Sequence, residues 1–233
     1  MRFAFRRPLG FTTAALVNPP LPSGWVDSSL CAVTMIDAKP LTLTGRHVQL
    51  EPLTAAHLAG LAAALPGGDL WRWLPRWVKT QDELRTWIDE ALAEQRRGEA
   101  VPFATVLLAD SRVVGTTRFM AISAAHRRVE IGGTIIGQPW QRTLVNTEVK
   151  YLMLRHAFEA WGCVRVELKT HARNARSRAA ILRLGAVEEG TLRSHMLQPD
   201  GSRRDTVYFS ILDTEWPAVR ERLERRMART DAP

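Results

Sequence analysis

The sequence predicts an α/β (α+β) domain, built on a central mixed but mostly antiparallel sheet with helices on both faces. Three observations carry that expectation. Strand-like runs at 103–108, 112–122 and 128–136 follow one another through short turns, which gives an antiparallel meander. A helical run from Thr147 to Trp161 then leads into a strand at 164–169, and such a connection crosses over to leave its two strands parallel. Two further runs, 186–196 and 203–212, flank Pro199-Asp200-Gly201 and close as an antiparallel pair.

Taken in order, residues 1–40 look unlike the remainder of the chain. Paired arginines (Arg6, Arg7) precede a short apolar run, Leu9 to Val17, interrupted by Gly10, Thr12 and Thr13, which only faintly resembles a targeting segment. Asn18-Pro19-Pro20-Leu21-Pro22-Ser23-Gly24 has linker chemistry. The expectation is a disordered extension over 1–40, with Met35 as a candidate start, and one domain over 41–230. Arg46 to Leu53 alternates as a strand, stopped by Pro52. Thr54 caps a helix to Leu65, and Pro66-Gly67-Gly68 ends it. After a tryptophan-rich segment, Leu70 to Val78, Thr80-Gln81-Asp82-Glu83 is a capping box: the hydroxyl can accept from the N3 amide while Glu83 reaches back. That helix runs to about Arg97 and Gly98 closes it. Ala109-Asp110-Ser111 turns one meander strand into the next.

The 147–161 helix sets Val149, Leu152, Met153, His156 and Ala160 on one apolar stripe. Asn174 caps the next helix and Gly185 sits at its C′ position. Asp213-Thr214-Glu215-Trp216-Pro217 opens a last one.

Composition sets the outer bounds. With 233 residues, 45% hydrophobic and 24% charged, the chain can bury a proper core. No run approaches the roughly 18 apolar residues of a membrane helix. Cys31 and Cys163 are too few for a disulfide framework or a zinc site, so a reducing cytoplasm is expected. The net charge of +8 comes almost wholly from arginine, since the lysines are Lys39, Lys79, Lys150 and Lys169 alone. It reads either as arginine-rich composition or as attraction to polyphosphate or an acidic partner such as a ribosome. The arginines are dispersed rather than interleaved with aromatics on one face, so no direct nucleic-acid binding is expected.

The chemistry concentrates between Val129 and Ala186. Gln138-Pro139-Trp140-Gln141-Arg142-Thr143 leads a strand into a helix N-terminus, where free N–H groups and the helix dipole favour an anion. A second helix start, Asn174-Ala175-Arg176-Ser177, follows just after the parallel strand. The pairing suits a long, phosphate-bearing cofactor laid across two strand ends.

The order and spacing of Val129-Glu130-Ile131-Gly132, Asn146-Thr147-Glu148-Val149-Lys150, Val166-Glu167-Leu168-Lys169-Thr170, Asn174-Ala175-Arg176-Ser177-Arg178, Leu184-Gly185-Ala186 with Glu189-Gly190, and Arg203-Arg204-Asp205-Thr206 resemble the GNAT N-acetyltransferase superfamily. The branch resembled is that of the ribosomal-protein N-terminal acetyltransferases, over about Leu41 to Arg226. The resemblance implies a splayed parallel strand pair, acetyl-CoA as co-substrate, no metal, and direct attack by a primary amine in a ternary complex. The amine would belong to a protein N-terminus, such as a ribosomal protein's, or to a small molecule; homodimers are common in similar enzymes. It implies cofactor contacts from Thr134, Ile135 and Ile136, from Gln141, Arg142, Thr143, Leu144, Val145, Asn146 and Thr147, and from Asn174, Ser177 and Arg178. One departure stands out. The family's loop is usually Gln/Arg-x-x-Gly-x-Gly/Ala, whereas Gln141 to Asn146 contains no glycine. Either Arg142, Thr143 and Asn146 side chains replace some amide contacts, or cofactor binding is weakened; Asn146 is also a candidate helix cap.

Acetyl transfer requires a base for the ammonium, donors for the developing oxyanion and an acid for the leaving thiolate. Glu130 is the candidate base, the alternative being a surface glutamate paired with Arg128. Backbone amides around Thr134 to Ile136 are the oxyanion donors. Ser177 is the candidate acid, with Tyr208 as substitute, and Asn174 and Ser177 also read as an ordinary helix start. Trp73 and Trp77 suit a wall for the acceptor, with core packing as the other reading for these and Trp71. His171 and His195 lack partners at ligand spacing, and Cys163 reads as a small core residue. The competing class is a non-catalytic GNAT-like module that senses CoA or docks on a ribosome or nucleic acid.

Overall fold

The computed structural model describes residues 36–230. The targeting-like run, the proline linker and Met35 lie outside the described residues. Ile36 and Ala38, assigned to the extension, pack against the main core.

Eight strands form one sheet in the order β1-β2-β3-β4-β5-β6-β8-β7. A two-residue strand, β1 (Leu43–Thr44), pairs with β2 (Val48–Pro52). The predicted meander is β3 (Val101–Leu107), β4 (Val113–Ser123) and β5 (Arg128–Ile136), all antiparallel. The crossover delivers β6 (Arg165–His171) parallel to β5. In the final hairpin, β8 (Arg203–Leu212) lies between β6 and β7 (Val187–Leu197), leaving β7 as the exposed edge. That order needs pairing of His171 with Thr206 across 35 residues, which no local pattern announces.

The parallel pairing is brief. It runs through Arg128↔Arg165, Val129↔Val166 and Glu130↔Glu167 and stops there. On the other side of β5, Arg118 faces Gly132 while Thr116 faces Ile135, so Gly133 and Thr134 together oppose Thr117. This is a bulge: the extra residue bends β5 and raises its local twist. Gly133 takes φ 58 there, a left-handed value that costs glycine little, and a Cβ would stand 3.1 Å from Arg118 Nε.

Helices cover both faces. On one, α1 (Leu58–Ala64) and α2 (Gln81–Arg96) enclose Leu61, Trp71, Leu84 and Ile88. The Thr80–Glu83 capping box forms as predicted, Glu83 N donating to Thr80 Oγ1 at 3.2 Å. The helix from Thr54 begins as a 3-10 turn (Ala55–His57), its box closed by His57. On the other face, α3 (Leu144–Arg155), α4 (Ala175–Leu184) and α5 (Trp216–Thr230) share a core with Val129, Val166 and Phe209.

Two expectations about α3 are corrected. It starts at Leu144 rather than Thr147, because Thr143 is extended and its hydroxyl accepts from Val145 N at 3.3 Å. Asn146 therefore lies inside the first turn and caps nothing. At its other end the helix widens into a π turn (His156–Ala160), which rotates Ala160 to the surface while Val149, Leu152 and Met153 remain buried. Gly185 ends α4 at φ 108, the left-handed cap expected of it.

Candidate active site

Where β5 and β6 part, a cleft opens. Ile131 to Ile136 line one wall and Leu168, Lys169 and Thr170 the other, with the heads of α3 and α4 beyond them. Of the residues singled out from sequence, Thr134, Ile135, Ile136, Gln141, Arg142, Thr143, Asn146, Thr147, Asn174, Ser177 and Trp73 line this cleft. Glu130, Leu144, Val145, Arg178 and Trp77 do not. Val145 is buried in the core and Leu144 half-buried beside it, because the helix has already begun there. Arg178, one residue round the helix from Ser177, turns to Glu188 at 3.0 Å and the Ala172 carbonyl at 3.4 Å. Trp77 lies under Lys79, whose Nζ stands 6.0 Å from the ring centroid. Trp71 is fully buried, edge-on to Trp87 at 5.6 Å, so its core-packing reading holds.

One end of the cleft is built for an anion. Helices α3 and α4 both present their N-termini to it, flanked by Arg142 and Arg176. The glycine-free loop still makes a left-handed step, at Arg142 with φ 66, a conformation costing a non-glycine residue about 1–2 kcal/mol. Side chains hold it. Gln141 Nε2 donates to the Ile136 carbonyl at 2.8 Å, Arg176 Nη1 donates to Gln141 Oε1 at 2.8 Å, and Thr143 Oγ1 donates to the Trp140 carbonyl at 2.7 Å. Asn174 caps α4, Oδ1 accepting from Ser177 N at 3.1 Å, and lines the cleft as well.

The other end is a charged layer on a single sheet face, buried at Glu130, His171 and Arg204. Glu130 is the last residue of β5 paired with β6 and only 2% exposed, which rules out the surface reading; Arg128 pairs with Glu167 instead. Its Oε2 takes an ion pair from Lys169 at 2.9 Å, and its Oε1 has no partner. Lys169, His171, Arg204 and Tyr208 alternate along β6 and β8 on this face. Lys169 Nζ stands 5.8 Å from the Tyr208 ring, and His171 meets Trp73 edge-on at 4.9 Å. Arg204, 3% exposed, donates to the Trp73 carbonyl at 2.9 Å and to Thr206 Oγ1 at 3.2 Å. Burial pulls its guanidinium below the usual range, with Glu130's charge opposing.

Behind the cleft wall lies Lys150 of α3. Its Nζ donates to Thr134 Oγ1 at 2.6 Å, and that hydroxyl also meets Thr117 Oγ1 at 2.7 Å. Burial brings this amine down to about 7, Glu130's charge pulling the other way. Sequence reasoning assigns no role to Lys150 or Arg204. With only four lysines in the chain, two of them inside the family-like motifs, scarcity is the one signal that could have singled out Lys150.

Residues 47–187, more than half of the chain, match the acetyltransferase (GNAT) domain family. The chain belongs to that family. It is 31% identical to an uncharacterized N-acetyltransferase, YoaA, of Bacillus subtilis (strain 168) over 122 residues, 52% of this chain and 67% of that protein. A second protein of that strain, named as a ribosomal N-acetyltransferase, YdaF, is 31% identical over 110 residues, 47% of this chain and 59% of its own length. Among solved structures, an acetyltransferase from T. thermophilus superposes with a TM-score of 0.74 at 39% identity, covering 80% of this chain and 97% of that one.

As a GNAT acetyltransferase, the chain has the mixed sheet with one parallel pair that the sequence led us to expect. Its departure lies in the loop, which has no glycine and holds Arg142 in a left-handed turn beside a Gln141–Arg176 bridge. Cys163 is buried, its thiol pushed up to about 11, as suits a packing residue. Among the described residues no cluster of three or more His, Cys, Asp or Glu is arranged to hold a metal, and no helix is long and apolar enough to cross a membrane.

Proposed function

We propose that this chain transfers an acetyl group from acetyl-CoA to a primary amine by direct attack in a ternary complex. The observation that carries the reading is the parting of β5 from β6 after Glu130, with two helix N-termini at one end of the gap and buried charges at the other. The residues present fit the co-substrate. The β6-facing edge of Ile131 to Ile136, which has no strand partner beyond Glu130, offers amides to a pantetheine chain, and Arg142, Arg176, Asn146 and Thr147 offer donors to its phosphates. Bound there, acetyl-CoA supplies the acyl group as an activated thioester and leaves as a thiolate.

The chain's own groups then divide the work. Glu130, just outside the cleft lining, receives the proton shed by the acceptor ammonium through a water relay to its unengaged Oε1, while Lys169 holds the carboxylate in place. Backbone amides from Thr134 to Ile136 stabilise charge on the acyl oxygen as the N–C bond forms and the C–S bond breaks. Ser177, which lines the cleft, gives its proton to the departing sulfur; Tyr208, outside the lining and packed against Lys169, is the weaker choice. Trp73 walls the acceptor side.

The acceptor is the amine of a protein N-terminus, as the name of the YdaF relative suggests, or of a small molecule, and the setting is cytoplasmic. A hundredfold excess of acetyl-CoA over its Kd should raise the melting temperature by about 5–10 °C. A screen of N-terminal peptides and small amines should then give amine-dependent thiol release. A shift without release would make the chain a CoA-sensing module; neither would end the proposal.

A further inference from the structure

Six cations line the cleft, Arg142, Arg176, Arg183, Arg226, Lys169 and Arg204, and among the described residues no carboxylate does. Four of them sit on the loop, α4 and α5, the side of the cleft given above to the co-substrate. The remaining two lie on the sheet face beneath Trp73. Lys169 is answered by Glu130 at 2.9 Å. Arg204 is not answered: its partners are the Trp73 carbonyl and the Thr206 hydroxyl, both neutral, and no ion pair reaches it among the described residues. Those two bonds use two of five N–H donors and leave three for a ligand. A guanidinium 3% exposed, which Glu130's charge reaches only from a distance and no ion pair meets, is a costly thing to keep unless an anion arrives to meet it.

We propose that the acceptor carries a carboxylate within a few bonds of its amine and that Arg204 receives it. This rests on the acetyltransferase reading above and narrows its substrate class. The two cations serve the amine as well. Positive neighbours disfavour an ammonium, so the acceptor is drawn in by its carboxylate and presents a more readily deprotonated nitrogen to the thioester. The bond from Arg204 to the Trp73 carbonyl ties the carboxylate reader to the wall of the acceptor space, so both move together. The same chemistry occurs in a free α-amino acid and in a peptide whose first residue is Asp or Glu.

The test compares kcat/KM within two matched pairs: alanine against alaninamide, and Glu-led against Gln-led tripeptide amides. The wild type should prefer the carboxylate member of at least one pair by about tenfold to a hundredfold, the usual worth of a charged hydrogen bond. The pair that shows the preference identifies the source. In Arg204→Gln the preference should fall towards unity through KM, and Arg204→Lys should keep part of it. An acetyl-CoA-induced melting shift in each variant shows that the fold and donor site survive. Equal rates within both pairs for the wild type, or a preference untouched in Arg204→Gln, overturns the inference. Transfer confined to uncharged amines overturns it too, while leaving the acetyltransferase reading standing. No transfer to any amine together with no acetyl-CoA shift removes both.

Discussion

The two ends of the cleft are made in opposite ways. The anion end is assembled from neighbours in sequence: Gln141 to Thr147 in one stretch, Asn174 to Ser177 in another, each at the start of a helix. Its groups are partly exposed, and its cations face the solvent-open side. The end proposed for the acceptor is assembled from residues far apart in sequence, Trp73, Glu130, Lys169 and Arg204; strand parity sets the last three on one face, Glu130 and Arg204 buried, Trp73 and Lys169 half-buried. The difference teaches a division of labour. Helix starts can collect a charged ligand from water because they need no desolvation of their own. Moving a proton off an ammonium needs a carboxylate whose surroundings are fixed before the substrate arrives, and burial supplies that.

The most direct way to break this comparison is Glu130→Gln. If the buried end carries the chemistry, turnover should fall about 10²- to 10⁴-fold, the usual span for a lost acid–base group. The acetyl-CoA dissociation constant, measured by calorimetry, should hardly move. Weakened cofactor binding with normal turnover would reverse the assignment of the two ends. A smaller effect is expected at the open end from Arg142→Gly. Losing the guanidinium should weaken acetyl-CoA about tenfold, more so at low salt, while a phosphate-free pantetheine fragment binds as before. The same change relieves a left-handed arginine, so the melting temperature should hold or rise as affinity drops. Equal losses for cofactor and fragment would deny the loop its phosphate role.

The same contrast explains what the sequence disclosed. The Thr80–Glu83 box, the Asn174 cap and the Gly185 stop were legible because capping is decided within four residues. The meander and the single parallel pair followed from turn length and crossover geometry. The start of α3 lies three residues before its expected place because Asn146 and Thr143 are both competent caps. Thr143's extended backbone and its bond to the Trp140 carbonyl decide between them. The end proposed for the acceptor was hardly legible. That Glu130 meets Lys169 while Arg128 meets Glu167 depends on the register of β5 against β6, all four sharing one face, and the partnership of Arg204 with Trp73 spans 131 residues. Such contacts belong to the folded sheet and leave no local signature.

Lys150 belongs to neither end, and it offers the finest test of how dry the wall between them is. Its amine, ordinarily near 10.5, is lowered to about 7 by burial. In the unfolded chain it regains the ordinary value, so between about pH 7 and 10.5 the unfolded state holds a proton that the folded state has released. Stability should therefore climb with pH across that window, and below about 7, where both states are protonated, this group should contribute no slope. Lys150→Met removes the group, so the free energy of wild type minus variant, from denaturant unfolding, should rise steadily from about pH 7 to 10. Parallel curves would mean that the amine keeps its ordinary affinity for protons. Water would then have to reach it behind Thr134, and the cleft wall would be too wet to hold Glu130 as a fixed base.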